Sequence, residues 1–533
     1  MTTKFLKQSV LTLGLTVVIL ACGDSVSKKV YKSPDEEFGE LFKEVQLKAI
    51  FPDSKTFADA SPKGKVEEVL KRYEEEKSKP NFNLKRFVME NFTFSSPNSK
   101  YVSNVKLSPQ EHINEIWSVL TRKTKESSGT LVPLVKPYLV QSGAASETYY
   151  WDNYFMMLGL QAAGKDTLMA NTVLNFAQLI QDYGHVPTGN RSYYFSRSQP
   201  PFFASMVKIL AQTKGFEDKL IKTLPQIQKE YQYWMSVDKG TDDAQKQNEA
   251  RKKGEKAYRK VVFVGKNDVL NRYFDDNDTP RPEAYREDIL FASKISGRKA
   301  NQVYRDLRSG IESGWNFSSR WLRDGQNMST IHTTDILPVD LNAILYDLEL
   351  TLASIYEANN QTEYAQSMRQ LANKRKIVFD KYFWNESTGF YFDYDFVVGK
   401  QTGIYSLAAV YPLFFKLASQ TQAEKVAKIL ETQFLQAGGL TTTLSKTGQQ
   451  WDAPNGWAPL QYLAIQGLRN YGFNDLANRI KQNWIANNLK VYKSTGKMLD
   501  KYNVYEEIAG AKYPVQNGYG WTNAILLKLL SEK

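Results

Sequence analysis

Helical spacing that returns in pairs constrains this chain more than any single motif. Ile344, Leu345, Leu348, Leu352 and Ile355 fall on one face of a helix, and after the polar turn 359–362, with Thr362 as the expected cap, Ala365, Met368 and Ala372 continue on a second helix. The same pattern predicts helices over 406–417 and 421–434, joined through 418–420, and over 460–470 and 474–489. Helix pairs recurring roughly every 50 to 60 residues predict an all-α toroid, an inner and an outer ring of helices with a pocket at one end lined by inner-ring loops. The alternation in 389–394, after the turn at 385–388, adds an expected short strand, so small β-hairpin insertions are anticipated.

No Pro/Ser/Gly-rich linker divides the 533 residues after the N-terminal region, so 41–533 reads as one large domain. Hydrophobic residues are 42% of the chain, enough for a sizeable core, and 31 Tyr with 10 Trp give an aromatic excess of the kind carbohydrate proteins show. The net charge of +12 comes from scattered lysines; the runs 71–77 and 251–253 read as solvated faces, which argues against nucleic acid as a partner. Residues 1–21 carry two lysines and then an apolar run too short to stay as a transmembrane helix, which is a signal-peptide pattern. The only cysteine, Cys22, follows Ile19-Leu20-Ala21 and resembles the lipidated residue of a bacterial lipobox, the alternative being an ordinary cleaved leader with a chance Cys. A lipid anchor at Cys22 would make the membrane a partner, with 22–40 as a polar tether and the protein facing the periplasm or the cell surface. A single Cys also excludes an intramolecular disulfide.

The histidines His112, His185 and His332 lie far apart and have no ligand-spaced partners, so no metal site is expected and all three read as structural or pocket-lining. Phosphate-binding glycine loops and a nucleophile elbow are missing, and no cofactor is expected. The densest run of chemistry is Gln450-Trp451-Asp452-Ala453-Pro454-Asn455-Gly456-Trp457-Ala458-Pro459. It reads as a rigid loop suited to a sugar, with indoles for the apolar ring faces and Asp or Gln for the hydroxyls.

That run resembles the second signature of the trehalase family of glycoside hydrolases. The resemblance extends in family order from Ile50-Phe51-Pro52-Asp53-Ser54-Lys55-Thr56-Phe57-Ala58-Asp59 through Tyr149-Tyr150-Trp151-Asp152-Asn153, Gly189-Asn190-Arg191-Ser192-Tyr193-Tyr194, Arg197-Ser198-Gln199-Pro200-Pro201, Pro280-Arg281-Pro282-Glu283, Glu312-Ser313-Gly314-Trp315 and Ser318-Ser319-Arg320-Trp321 to Gly518-Tyr519-Gly520-Trp521-Thr522-Asn523. It implies the six-hairpin (α/α)6 barrel, a disaccharide ligand such as trehalose, and a substrate-binding set of Trp151, Asp152, Asn190, Arg191, Arg197, Gln199, Arg281, Glu283, Gly314, Trp315 and Trp451. Taken singly, the tryptophans, Trp457 among them, could equally be core and the polar members buried ion-pair formers.

The family inverts the anomeric centre with two carboxyl groups roughly 6.5 to 9.5 Å apart, one protonating the glycosidic oxygen and one activating water. At the acid position this chain has Asn316, whose amide can hydrogen-bond the leaving oxygen but cannot protonate it. At the base position it has Asp500 in place of Glu, which sets the carboxylate back on the order of 1 Å and can cost about a hundredfold in rate. A substrate-facing Arg has become Ala144, and Lys512 stands where a carboxylate is usual. The expected function is therefore trehalose hydrolysis, weakened, with Asp500 as base and a substitute acid from Glu312, Asp324 or water. The alternatives are a non-catalytic disaccharide-binding lipoprotein and a hydrolase retuned to another glycoside.

Overall fold

In the computed structural model, the described residues are 31–94, 104, 106–123, 126–266, 268–506, 508–509 and 518–532. Residues 32–533 form one compact unit. Six helices buried on nearly every side make the inner ring: Tyr150–Ala162, Phe203–Ala211, Val339–Ala358, Tyr411–Phe414, Ala458–Asn470 and Gly520–Ser531. All-round burial explains why their sequences carry apolar residues on every face rather than on one stripe. Outside them run Pro109–Leu120, Asp166–Tyr183, Leu224–Trp234, Thr362–Phe383, Gln420–Ile429 and Asn474–Thr495. The longest antiparallel contact is Val339–Ala358 against Thr362–Phe383, and the ring closes where the last inner helix packs on the first. This is the expected (α/α)6 toroid.

Closure depends on a glycine. A Cβ at Gly159 would lie 2.6 Å from Ala524 Cβ and closer still to its backbone, so only a bare backbone lets the first and last inner helices meet. Overpacking a filled core costs about 1–3 kcal/mol. Gly159→Ala should lower stability by that amount in chemical denaturation, and a loss under about 0.5 kcal/mol would show that the closing contact yields freely.

The strands are short and antiparallel, in two- and three-stranded sheets at the ends of the helices. Phe390–Tyr391 pairs with Trp384–Asn385 across the expected turn. Two helical expectations need correction. Gln361, not Thr362, is the N-cap of the helix that Thr362 begins. The helix expected over 406–417 is instead a 3-10 turn at Leu407–Val410 followed by the single turn Tyr411–Phe414, because Pro412 has no N–H for an i→i−4 bond and fits only in a first turn.

The stretch expected as a tether, 22–40, overlaps a helix. A helix begins at Pro34, behind the Ser33–Glu36 capping box, and buries Phe38, Leu41 and Phe42. Residues 34–94 build their own aromatic core with Phe57, Phe87 and Phe92, joined by Tyr193, Tyr194 and Tyr285 of the toroid. A buried ion-pair lattice ties this layer down: Lys55 reaches Asp59 (2.6 Å) and Glu147 (2.8 Å), and Arg191 reaches Glu147 (3.0 Å) and Asp59 (3.2 Å). Among the described residues no helix is long and apolar enough to cross a membrane. Cys22, the signal region and Lys512 lie outside the described residues.

Candidate active site

The loop 450–459 and the segment 312–321 meet at the mouth of the ring. Trp451 N–H donates to the Phe317 carbonyl at 3.1 Å, and the Gln450 amide donates to the Asn316 carbonyl. Both loops are pinned by Asp452, whose buried carboxylate accepts from the Ser318 hydroxyl (3.0 Å), Ser319 N–H (2.9 Å) and hydroxyl (2.8 Å), the Thr443 hydroxyl (2.9 Å) and the Thr447 hydroxyl. Asp452 thus holds the loops together, and the carboxylate expected to meet sugar hydroxyls is occupied by its own chain.

The aromatic part is a layered stack. Trp451 lies parallel to Trp457 (4.1 Å between rings, 4°) on one side and close to parallel with Trp315 (5.3 Å, 23°) on the other. The Arg320 guanidinium sits 4.4 Å from the Trp315 ring, and Lys501 Nζ sits 5.4 Å from that of Trp457. Cations therefore cap a column of three indoles, each attracted to the electron-rich ring face. Trp521 meets the edges of Trp451 and Trp457 at 6.3 and 5.7 Å. Trp451 is buried and packed against both Trp457 and Trp315, so here it forms part of a wall of indoles. Gly314, at φ +76°, allows the column to pack: a Cβ there would fall 2.7 Å from Trp151 Cε2.

The other sequence-selected residues divide in two. The side chains of Asn190 and Arg191 are bonded within the chain. The Asn190 amide accepts from Thr148 N–H and donates to the Val132 carbonyl, both at 2.8 Å, and Arg191 belongs to the ion-pair lattice and also donates to Thr130. Arg197, Gln199, Arg281, Glu283 and Asp152 remain as a polar set. Arg197 pairs with Glu283 (2.5 Å) and approaches Asp275 (3.5 Å), yet its Nε and Nη1 and Glu283 Oε2 stay buried without a hydrogen bond. Orphaned polar atoms of this kind are costly in a fold and mark a place where a polar ligand belongs. Arg281 is held bidentate by Asp288 at 2.5 and 2.9 Å, with Phe317 5.7 Å from its guanidinium. Gln199 Oε1 accepts from Trp151 N–H at 3.1 Å. Burial pushes the Asp152 carboxyl up to about 7 despite a hydrogen bond with Tyr519.

Of the two positions that the resemblance assigns to catalysis, Asn316 is half-buried beside the stack. Asp500 is buried; its Oδ2 meets Lys501 Nζ at 2.9 Å, and its carbonyl accepts from Trp521 Nε1 at 3.2 Å. Both positions therefore border the same tryptophan cluster. The substitute acids fail. Glu312 is fully buried and accepts from Lys260 Nζ (2.6 and 2.8 Å), Ser198 N–H, Phe274 N–H and Tyr233 OH. Asp324 lies exposed in a turn, where the Asn327 N–H and other local donors hold its carboxyl well below the usual range, so it stays ionised. No group of three His, Cys, Asp or Glu among the described residues is placed to hold a metal ion. Gln450, Arg320, Lys501, Tyr519 and Trp521 were not selected from sequence, although the quoted motifs contain four of them and Lys501 directly follows Asp500.

The geometry has counterparts in known proteins. The trehalase family model matches residues 49–533. A periplasmic trehalase of Escherichia coli is 45% identical over 502 residues, covering 93% of this chain and 87% of the relative, and one of Salmonella agona is 45% identical over 517 residues, covering 96% and 88%. The solved neutral trehalase of Saccharomyces cerevisiae superposes with a TM-score of 0.62 at 24% identity, covering 79% of this chain and 80% of that one, a likeness of fold. With a family match over most of its length and relatives of this identity, the chain belongs to the trehalase family.

Proposed function

We propose that this chain acts on trehalose in the periplasm, binding it at the mouth of the toroid and hydrolysing it slowly by the inverting route. Family membership and the periplasmic trehalases among its relatives support the substrate class and the location. Arg197, Arg281 and Glu283 are the residues proposed to take the sugar hydroxyls, with Trp151, Trp315 and Trp451 as apolar walls and Asp500 as the base. The observation that carries the slow rate is the acid position: Asn316 has no proton to give, and neither Glu312 nor Asp324 can replace it. Absence of a general acid lowers turnover by about 10²–10⁴-fold.

The same observation favours a second reading, a disaccharide-binding protein without turnover. Trehalose affinity and glucose release measured on one preparation separate the two. Release at a rate well above the uncatalysed reaction selects the enzyme, and binding without release selects the binder. Failure to bind trehalose at all would overturn both.

We also propose lipidation at Cys22, which is supported by its place directly after the apolar leader. Cys22→Ala should release the protein from the membrane fraction and abolish the lipid mass on the mature N-terminus. Unchanged fractionation with no lipid on the parent would refute the anchor.

A further inference from the structure

A second concavity lies away from the tryptophan stack. Its volume is about 660 Å³, within the range of small-molecule sites. It opens between the N-terminal half of the helix Ala300–Glu312 and the 3-10 turns Met328–Thr330 and Thr333–Asp335. Asn316 follows the other end of that helix. From Asp306, the lining residue nearest that end, to Glu312 the rise is roughly 9 Å, and no residue of the tryptophan stack lines the basin.

The lining is rich in hydrogen-bonding groups and almost neutral. Arg298 pairs with Asp306 at 2.5 Å, and Arg323 pairs with Asp335 at 2.7 Å, so two cations and two anions cancel, leaving Lys294 as the one unmatched charge among the lining residues. Gln302 and Ser329 are exposed on its wall. His332, only 5% exposed, has an Nδ1 with no hydrogen bond, 3.5 Å from the Asp395 carboxylate and 3.8 Å from that of Asp335. Burial lowers the imidazole to about 4, so it is neutral at ordinary pH.

We propose that this basin is a second, non-catalytic site for a neutral saccharide. The charge-paired Arg and Asp groups present donors and acceptors to neighbouring hydroxyls, and the single net positive charge left by Lys294 is why inorganic phosphate serves as the competing probe below. No aromatic ring is among the lining residues, so affinity there is weaker than at the stack. The inference does not rest on turnover at Asn316.

The test is a titration of the full chain with trehalose and with glucose, read by calorimetry and saturation-transfer NMR. Two classes of site are expected. Gln302→Ala combined with Arg323→Ala should weaken the weaker class at least tenfold, and Ser329→Trp, which fills the basin from an exposed position, should abolish it. Both should leave the stronger class intact, while Trp451→Ala should do the reverse. A single class lost only in Trp451→Ala would overturn the proposal. So would a weaker class that survives both basin variants. So would a basin that binds inorganic phosphate and no sugar.

Discussion

Asn316→Asp should raise glucose release from trehalose by about 10²-fold or more over the parent, since general acid catalysis supplies about 10²–10⁴-fold. The substitution exchanges an amide nitrogen for an oxygen. Position 316 is half-buried, and its carbonyl is already fixed by the Gln450 amide, so the backbone that would aim the new acid is in place. Asp500→Glu alone should give little, because the base works on a bond whose leaving oxygen still lacks a proton. The double variant should exceed Asn316→Asp, as the longer side chain recovers the reach that the shorter one loses. A coupled glucose assay on the four proteins decides it. If the parent already runs at ordinary glycosidase rates and Asn316→Asp adds nothing, Asn316 is not at the acid position. If the double variant binds sugar and stays inert, Ala144 and Lys512 are the next positions to restore.

The toroid was legible because ring-forming helices have to repeat. Pairs over 339–383 and 458–495 announced themselves through a 3.6-residue period, and their ends fell close to the predicted turns. The pair over 406–434 was misread at its start because apolar periodicity continues through Pro412 although the backbone bond does not. The site was legible as segments, but the direction of individual side chains was not. Asn190 and Arg191 stand in a motif beside the pocket and turn into the wall, while Arg320, in another motif, turns under Trp315 and supports it. Spacing along a loop carries no period, so nothing in the string says which way each residue faces.

The cation-capped indole column was hidden for a related reason. Its members, Lys501, Trp457, Trp451, Trp315 and Arg320, come from three segments, and only the fold sets them face to face. The column also shows that the shape of this region is held by groups other than the Asn316 side chain. The indole stacking, the Asp452 anchors and the buried triad of Arg320 with Asp340 and Asp393 do not use the Asn316 side chain, while the Asp500 carboxylate enters only through Lys501, which it holds at 2.9 Å. Shape and chemistry are separable here.

The largest expected effect on stability lies just behind the column, at the pair Lys260–Glu312. Lys260 Nζ contacts both carboxylate oxygens and the Phe274 carbonyl (2.6 Å), and it lies 4.6 Å from the Tyr233 ring and 4.9 Å from that of Trp234, fully enclosed. Breaking a buried pair by removing one partner costs about 3–5 kcal/mol, because the other charge stays behind without compensation. Lys260→Met should therefore destabilise by about that amount, and Glu312→Gln by a similar one, since Ser198 and Phe274 N–H donate to different carboxylate oxygens, the amide keeps an acceptor for only one of them, and it no longer balances the ammonium. The double variant should cost less than the sum of the singles, since neither charge is then stranded. Denaturant unfolding of the four proteins measures this coupling. Trehalose affinity should fall with Lys260→Met as well, because Glu312 directly precedes Ser313-Gly314-Trp315 and fixes where the column stands. Single variants within about 1 kcal/mol of the parent, with unchanged affinity, would mean that water reaches the pair and that the column is positioned from its other end, by Asp452.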